Sequence, residues 1–360
     1  MTDYILMFTL LLVSTMVLYY IYERYFAHKS KTTSDIYLEA LKDLLDGKQE
    51  TAFSKLREVV AEDSSNIDAY IRLGVILREN NKPAQALQVH KDLTLRSGLP
   101  VDTKAEILKH LYLDYFDLKE YDTAEAALRE LVDIKPKNRW ALIKLLETQK
   151  AQMKWDEAYE TAVRLLKIEE NKSKKPLADF KYHQGEQLLK KREYHKARIL
   201  FKEAIGFNPQ YVDAYLAIGD SYQAEERFED ALNFWNKMIS NVPQQGHQVI
   251  ERLKKVLFDL GRYGEINKIC ENILSHAPKN LTARLCLAEF YEKKGDTDLA
   301  EEILVSIIED YPNDIKSVVE LIRIYLEKNN TKKIERLLKT INNKLQKKVT
   351  VLLQPESKTA

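Results

Sequence analysis

The sequence predicts an all-α protein, an α-solenoid of about nine helix-turn-helix repeats that follow one N-terminal apolar helix. The 360 residues include only 10 Gly and 9 Pro, a composition that favours helices joined by short turns. Apolar and small residues recur with a period of about 34 residues, which is typical of stacked helical pairs. Ahead of the repeats lies an uncharged apolar stretch.

That apolar stretch is ILMFTLLLVSTMVLYYIY, residues 5–22, which contains 18 residues without a charge. This is about the shortest helix that crosses the roughly 30 Å hydrocarbon core of a membrane. Segment 1–26 is therefore predicted to be a transmembrane anchor. The alternative is a cleaved signal peptide, which would have a basic start and a small-residue cleavage site. The aromatic residues predicted to sit at the membrane interface are Tyr19, Tyr20, Tyr22, Tyr25 and Phe26.

The charges beside this stretch predict its orientation. Arg24, Lys29 and Lys31 follow it, whereas only Asp3 precedes it. Because cytoplasmic flanks carry the excess of basic residues, the sequence predicts a single-pass protein of the inner membrane with its repeats in the cytoplasm. Residues 27–32 are predicted to be a short linker.

The repeat is clearest in YLAIGDSYQAEERFEDALNFW, residues 215–235. Two helices of a pair can approach closely because small residues occupy positions 8 and 20, and a proline at position 32 ends the second helix. This arrangement matches the tetratricopeptide repeat. Repeats are predicted over residues 33–348, followed by a C-terminal tail at 349–360. The predicted starts are residues 33, 67, 105, 139, 178, 212, 247, 281 and 315.

Composition and motifs argue against several functions. The net charge of +1 gives no basic face for nucleic acid. The two cysteines, Cys270 and Cys286, are not spaced as a CxxC pair, which fits a reducing compartment. The chain has no phosphate-binding glycine loop and no hydrolase or metalloprotease motif. No catalytic residue, metal or cofactor is therefore predicted. A catalytic site that uses Glu147 and Glu186 is the weaker alternative to a solvated charged face.

The candidate binding site is a protein-binding groove lined by the first helix of each pair. Among its residues, Phe116, Trp140, Ile143 and Tyr182 have the composition of a protein-binding hot spot rimmed by charge. The alternative is that these side chains pack internally. Other tyrosines, including Tyr121, fall on packing positions and are predicted to be core. The predicted groove residues are Ile71, Arg78, Lys109, Leu113, Phe116, Trp140, Ile143, Glu147, Tyr182 and Glu186.

Three stretches resemble the second to fourth repeats of the bacterial lipopolysaccharide assembly protein B family. They are DAYIRLGVILRENNKPAQALQVHKDLTLRSGL (68–99), LYLDYFDLKEYDTAEAALRELVD (111–133) and ALIKLLETQKAQMKWDEAYETAVRLLKI (141–168). The resemblance extends over about residues 1–315. It departs from the family after Asn342, where the cysteines of that family's rubredoxin-like metal module are missing.

The resemblance implies a non-enzymatic adaptor anchored in the inner membrane. Members of that family bring an enzyme of lipid A biosynthesis to a membrane-bound AAA+ protease, so both are implied partners here. The second hypothesis is a general scaffold for another membrane-associated complex, such as secretion or division machinery. Protein partners are expected in both cases, without nucleic acid, and the oligomeric state is left open.

Overall fold

The computed structural model describes residues 2–22, 32–170 and 173–353, and the side chains of 7–22, 32–170 and 173–342. Throughout this part of the chain the regular structure is helical, without a β-strand, so the all-α prediction is confirmed. Short 3-10 helices lie at Pro243–Val249 and Tyr263–Glu265. The α-helices are α1 (Thr2–Tyr22), α2 (Thr33–Leu45), α3 (Gln49–Glu62), α4 (Ile67–Glu79), α5 (Pro83–Thr94), α6 (Val101–Asp117), α7 (Tyr121–Ile134), α8 (Arg139–Ala151), α9 (Trp155–Ile168), α10 (Leu177–Lys190), α11 (Tyr194–Phe207), α12 (Val212–Ala224), α13 (Phe228–Asn241), α14 (Ile250–Asp259), α15 (Ile266–His276), α16 (Leu281–Lys294), α17 (Thr297–Asp310), α18 (Ile315–Glu327) and α19 (Thr331–Leu353).

Helix α1 covers the stretch for which a membrane span was predicted. A spanning helix has to be both long and predominantly apolar. No helix in the described part of the chain satisfies both requirements. The predicted single-pass, inner-membrane location is therefore contradicted. The predicted linker 27–32, apart from residue 32, lies outside the described residues, as do Arg24, Tyr25 and Phe26.

From residue 33 onward the described helices form nine consecutive pairs, α2 with α3 through α18 with α19. Several pairs begin where the period predicted, for example at Thr33, Ile67 and Arg139. The third pair begins at Val101 rather than 105, since Pro100 occupies the position just before the helix. Proline is tolerated there because the first helical N–H groups have no partner within the helix. Helix α19 continues beyond the predicted boundary at 348, to Leu353.

Small residues set the contact between the two helices of a pair. The alanines at position 20 of the repeat are fully buried. In three repeats a glycine of the first helix faces a large side chain of the second helix, and a Cβ on Gly185 would lie 2.5 Å from the ring of Phe201. Close helix contact therefore depends on these residues. The fully buried alanines are Ala52, Ala86, Ala124, Ala158, Ala197, Ala231 and Ala300.

Each turn between the two helices of a pair contains one residue in the left-handed conformation. Glycine meets this requirement without strain, and Gly47, Gly261 and Gly295 occupy three of these turns. The other turns in the described part of the chain use side chains that rarely adopt a positive φ. These residues are Asn81, Lys119, Met153, Arg192, Glu226 and Asn329.

The chain divides into two compact units. Unit 1 comprises Met1–Lys154 and Arg164–Glu169, and unit 2 comprises Trp155–Val163 and Glu170–Ala360. Helix α9 contributes to both. The predicted groove residues are thus divided, with Tyr182 and Glu186 in unit 2 and the other eight in unit 1.

Candidate protein-binding site

Four aromatic side chains of unit 1 form a connected aromatic patch, which consists of Tyr112, Phe116, Tyr121 and Trp140. The ring centroid of Tyr112 lies 5.7 Å from that of Phe116 and 5.7 Å from that of Trp140. The ring of Tyr121 meets that of Phe116 edge-on at 5.6 Å. Such separations are those of favourable aromatic pairs. The structure therefore brings Phe116 and Trp140 together through Tyr112.

Exposure differs across the aromatic patch in a way that suits binding. Tyr112 is 4% exposed, whereas Phe116 is 44% and Tyr121 is 45% exposed. Burial raises the pKa of Tyr112. A buried ring thus packs against the exposed ring of Phe116, which in turn contacts Tyr121. The prediction that Tyr121 belongs to the core is wrong, because this residue is the first of α7 and lies outside the helix-helix contact.

Charged side chains border the aromatic patch. The ammonium of Lys109 lies 6.0 Å from the centre of the Trp140 ring, within the range of a cation–π contact. Its Nζ also pairs with Glu106 at 2.9 Å. Glu147 lies one helical turn after Lys144, and its Oε2 pairs with Lys144 Nζ at 2.8 Å. Leu113 and Ile143 are half-buried.

Next to this surface lies a buried charged cluster that consists of Arg78, His90, His110 and Asp114. Asp114 is fully buried. Its Oδ1 accepts a hydrogen bond from Arg78 Nη1 at 2.8 Å. His90 Nδ1 donates to Asp114 Oδ2 at 2.5 Å, and His90 Nε2 lies 3.2 Å from the carbonyl oxygen of Ile71. Buried charges are tolerated in this way only when they are paired.

Two predicted groove residues, Arg78 and Ile71, are largely buried beside this cluster and do not form a free surface. Arg78 holds Asp114 with its guanidinium, and only 12% of its side chain is exposed. Ile71 is 6% exposed and packs in the hydrophobic core of unit 1. Ile71 also borders a cavity of about 380 Å³ that is lined by Arg72, Val75, Lys109 and His110 among others.

His110 stacks on His90 with a ring-centroid distance of 5.2 Å. Its Nε2 lies 3.2 Å from Glu106 Oε1, and its Nδ1 lies 3.5 Å from Arg78 Nη2. A neutral ring fits this arrangement, because it donates from Nε2 and accepts at Nδ1. Burial, and then the charges of His90 and Arg78, lower the pKa of His110 to about 4.

This shift predicts a loss of stability in mild acid. As the pH falls below about 6.5, the unfolded chain binds a proton at residue 110 that the folded chain does not bind. The free energy of unfolding should thus fall by about 2 kcal/mol between pH 7 and pH 5 on account of His110. Urea denaturation of the parent and of His110→Gln at both pH values measures this term. An equal pH dependence in both proteins would contradict it.

In unit 2, Tyr182 lies in a second group of aromatic residues. Its ring contacts those of Phe201 and Tyr211 at 5.5 and 5.4 Å, and burial raises its pKa. Glu186 Oε2 lies within hydrogen-bond distance of His183 Nδ1, at 2.6 Å. The His183 ring stacks on that of Trp155 with a centroid distance of 4.2 Å. Tyr182 is half-buried, which places it at the edge of the core of this unit.

Sequence reasoning missed Tyr112 and the partners of Arg78. Tyr112 lies one helical turn before Phe116, and that spacing was a usable signal. His90 occupies the position that Phe201 and Trp235 occupy in other repeats, opposite Gly74. A histidine at such a packing position called for a buried partner. Across the described residues, no group of three or more His, Cys, Asp and Glu side chains could hold a metal ion.

The paired helices and their buried small residues have the architecture of stacked tetratricopeptide repeats. Two family models, each described as a tetratricopeptide repeat, match residues 257–319 and 115–138. The chain is similar to lipopolysaccharide assembly protein B of Escherichia coli strain K12, with 21% identity over 276 residues, 77% of this chain and 71% of that protein. The predicted resemblance to this family is thereby confirmed.

The chain is also similar to a second protein and to a solved structure. Superkiller protein 3 of Schizosaccharomyces pombe is 24% identical over 229 residues, which make up 62% of this chain and 16% of that protein. Among solved structures, a tetratricopeptide repeat protein from Parabacteroides merdae is 13% identical, with 82% of this chain and 98% of that chain covered and a TM-score of 0.36.

Proposed function

We propose that the chain is a non-enzymatic adaptor that binds other proteins through the first helices of its repeats. The observation that carries this proposal is the aromatic patch of unit 1. Large aromatic side chains that are exposed next to a buried anchor and bordered by charge are typical of binding hot spots. Phe116 and Trp140 supply apolar area, and Lys109 and Glu147 supply the charged rim.

The partner that fits this surface is an apolar segment with flanking charges of both signs. A helix or an extended peptide could lay apolar side chains on Phe116 and Trp140. Among the predicted residues, Leu113 and Ile143 extend the apolar area. Tyr182 and Glu186 form a separate candidate surface in unit 2. Arg78 and Ile71 act indirectly, since they hold the buried charged cluster and the core in place.

The similarity to lipopolysaccharide assembly protein B supports a role in lipopolysaccharide assembly. In this role the chain would bring together proteins of that process, such as an enzyme of lipid A biosynthesis and a protease that degrades it. The second candidate is a general scaffold for another complex. It uses the same surface and differs only in the partner.

A photo-crosslinking experiment tests the binding role. A photoreactive amino acid at position 116 or 140 of the full chain should capture specific proteins in cells, and mass spectrometry identifies them. Enzymes of lipid A biosynthesis among the captured proteins would support the role in lipopolysaccharide assembly. The same probe at Leu95, an exposed apolar residue outside the aromatic patch, is the control for non-specific capture.

With a captured partner in hand, Phe116→Ala and Trp140→Ala should each weaken its binding at least tenfold. Truncation of a hot-spot aromatic residue costs about 2 kcal/mol or more, and each 1.4 kcal/mol corresponds to about a factor of ten. Isothermal titration calorimetry with purified proteins measures the change, and Leu95→Ala should bind like the parent. Unchanged binding by both aromatic variants, with the fold retained, would refute this surface.

A further inference from the structure

Unit 2 contains two cysteines that the proposed binding role does not use. Cys270 lies in α15 and Cys286 in the adjacent α16, and these helices pack against each other. Both side chains belong to the same hydrophobic cluster, with 0% and 4% exposure. Both thiols are free, and each shifts the pKa of the other, which makes them near neighbours.

The surroundings of the two thiols differ. Cys286 lines a cavity of about 640 Å³ together with Lys254 and Glu289, whereas Cys270 is not among the residues that line it. The Lys254 ammonium pairs with Glu289 at 2.5 Å and with Glu251 at 3.5 Å. Small solutes can therefore reach Cys286 from the cavity.

The electrostatics favour a thiolate at Cys286. The neighbouring Cys270 thiol and the positive charge of Lys254 lower the pKa of Cys286, against the opposing effects of burial, Glu289 and Glu251. The neighbouring Cys286 thiol, together with burial, raises the pKa of Cys270. A thiolate beside a second thiol is the arrangement found in redox-sensing cysteine pairs.

We infer that Cys286 and Cys270 form a peroxide-sensitive pair that closes into a reversible disulfide between α15 and α16. In the first step the Cys286 thiolate attacks one oxygen of a hydroperoxide. An S–O bond forms, the O–O bond breaks, the sulfur is oxidised to a sulfenic acid, and the other oxygen leaves as hydroxide or alkoxide.

In the second step Cys270 loses its proton to that base and attacks the sulfur of Cys286. The S–S bond forms while the S–O bond breaks, and the oxygen leaves as hydroxide, which becomes water with the proton that Cys286 released when it ionised. With hydrogen peroxide, two thiols and one peroxide yield one disulfide and two waters. A dithiol reductant reverses the reaction by thiol–disulfide exchange.

The disulfide would join the second helix of the seventh pair to the first helix of the eighth. Neighbouring repeats in this class of protein hold together mainly through such contacts. A covalent link there would stiffen this part of unit 2 and raise its melting temperature by several degrees, as a cross-link that restricts the unfolded chain does.

The chain contains no cysteines other than these two, so thiol labelling gives an unambiguous result. The reduced full-length protein, treated with equimolar hydrogen peroxide and then unfolded in excess iodoacetamide, should lose both labelling sites and two hydrogen atoms in intact mass. Dithiothreitol should restore both sites. Retention of both labels after treatment would overturn the inference, and so would a disulfide-linked dimer on a non-reducing gel.

Variants test the separate roles. In Cys270→Ser the reaction with peroxide should stop at the sulfenic acid, which dimedone traps at Cys286. Cys286→Ser should react with peroxide at least tenfold more slowly than the parent.

Lys254→Met should slow oxidation about three- to tenfold because it removes the positive charge near the thiolate. Lys316→Met, at another lysine of the same cavity, is the matched control. Equal rates in Cys286→Ser and the parent would refute the assignment of Cys286 as the attacking thiol.

Discussion

Replacement of Asp114 by asparagine should lower the free energy of unfolding of unit 1 by about 3–5 kcal/mol, the cost of removing one partner from a buried ion pair. The carboxylate of Asp114 is fully buried between Arg78 and His90. Asparagine keeps the size of the side chain but removes its charge. Arg78 and His90 would then lack the group that balances them away from water.

Asp117 provides the matched control. It lies on the same helix and also faces Arg78, with Nε to Oδ2 at 4.0 Å, but its side chain is 49% exposed. Because water screens such a pair, Asp117→Asn should cost less than about 1 kcal/mol. Urea denaturation, with amide exchange followed in α4 and α6, measures both variants. Equal effects of the two substitutions would show that burial does not set the strength of this cluster.

Gly219→Ala should destabilise unit 2 by about 2 kcal/mol, in the range typical of overpacked cores. A Cβ at residue 219 would lie 2.1 Å from Trp235 Nε1 and 2.5 Å from Cδ1. The indole of Trp235 is fully buried, so it cannot move aside without displacing its neighbours. This cost exceeds the gain of up to about 1 kcal/mol that alanine brings to a helix.

Gly206→Ala is the corresponding control within the same unit. Gly206 is also helical, but a Cβ there would meet no atom within 4 Å. Alanine should therefore stabilise by about 0.5–1 kcal/mol, since it reduces the freedom of the unfolded chain. Thermal denaturation should thus move in opposite directions for the two variants. A rise in melting temperature for Gly219→Ala would mean that the helices can separate without cost.

The sequence allowed the repeat architecture to be predicted well, because small residues have to occupy the same positions in every helical pair. Ala197 and Ala231 were assigned to the packing position from their spacing alone, and both are fully buried. The face of each first helix also follows from the period. Of the two aromatic residues that the period places on that face, Phe116 is exposed and Trp140 is half-buried.

The side-chain partners could not be predicted in the same way. Arg78 and Asp114 are 36 residues apart, and their bond depends on how α4 is rotated against α6. A rotation of a few tens of degrees would have left Arg78 on the surface, where the periodic pattern placed it. Tyr121 was assigned to the core for a related reason. A residue at the start of a helix can point away from the helix-helix contact even when its position in the repeat predicts burial.

The left-handed turns carry a consequence for how this architecture can change over time. Lys119, Met153 and Arg192 adopt a conformation that costs a residue with a side chain about 1–2 kcal/mol. Since these turns keep their shape without glycine, the packing of the flanking helices must impose it. Turn residues are then free to mutate, and related proteins can diverge almost completely at these positions while the helical pairs persist. The heritable signature of the fold therefore lies in its buried alanines and glycines rather than in its loops.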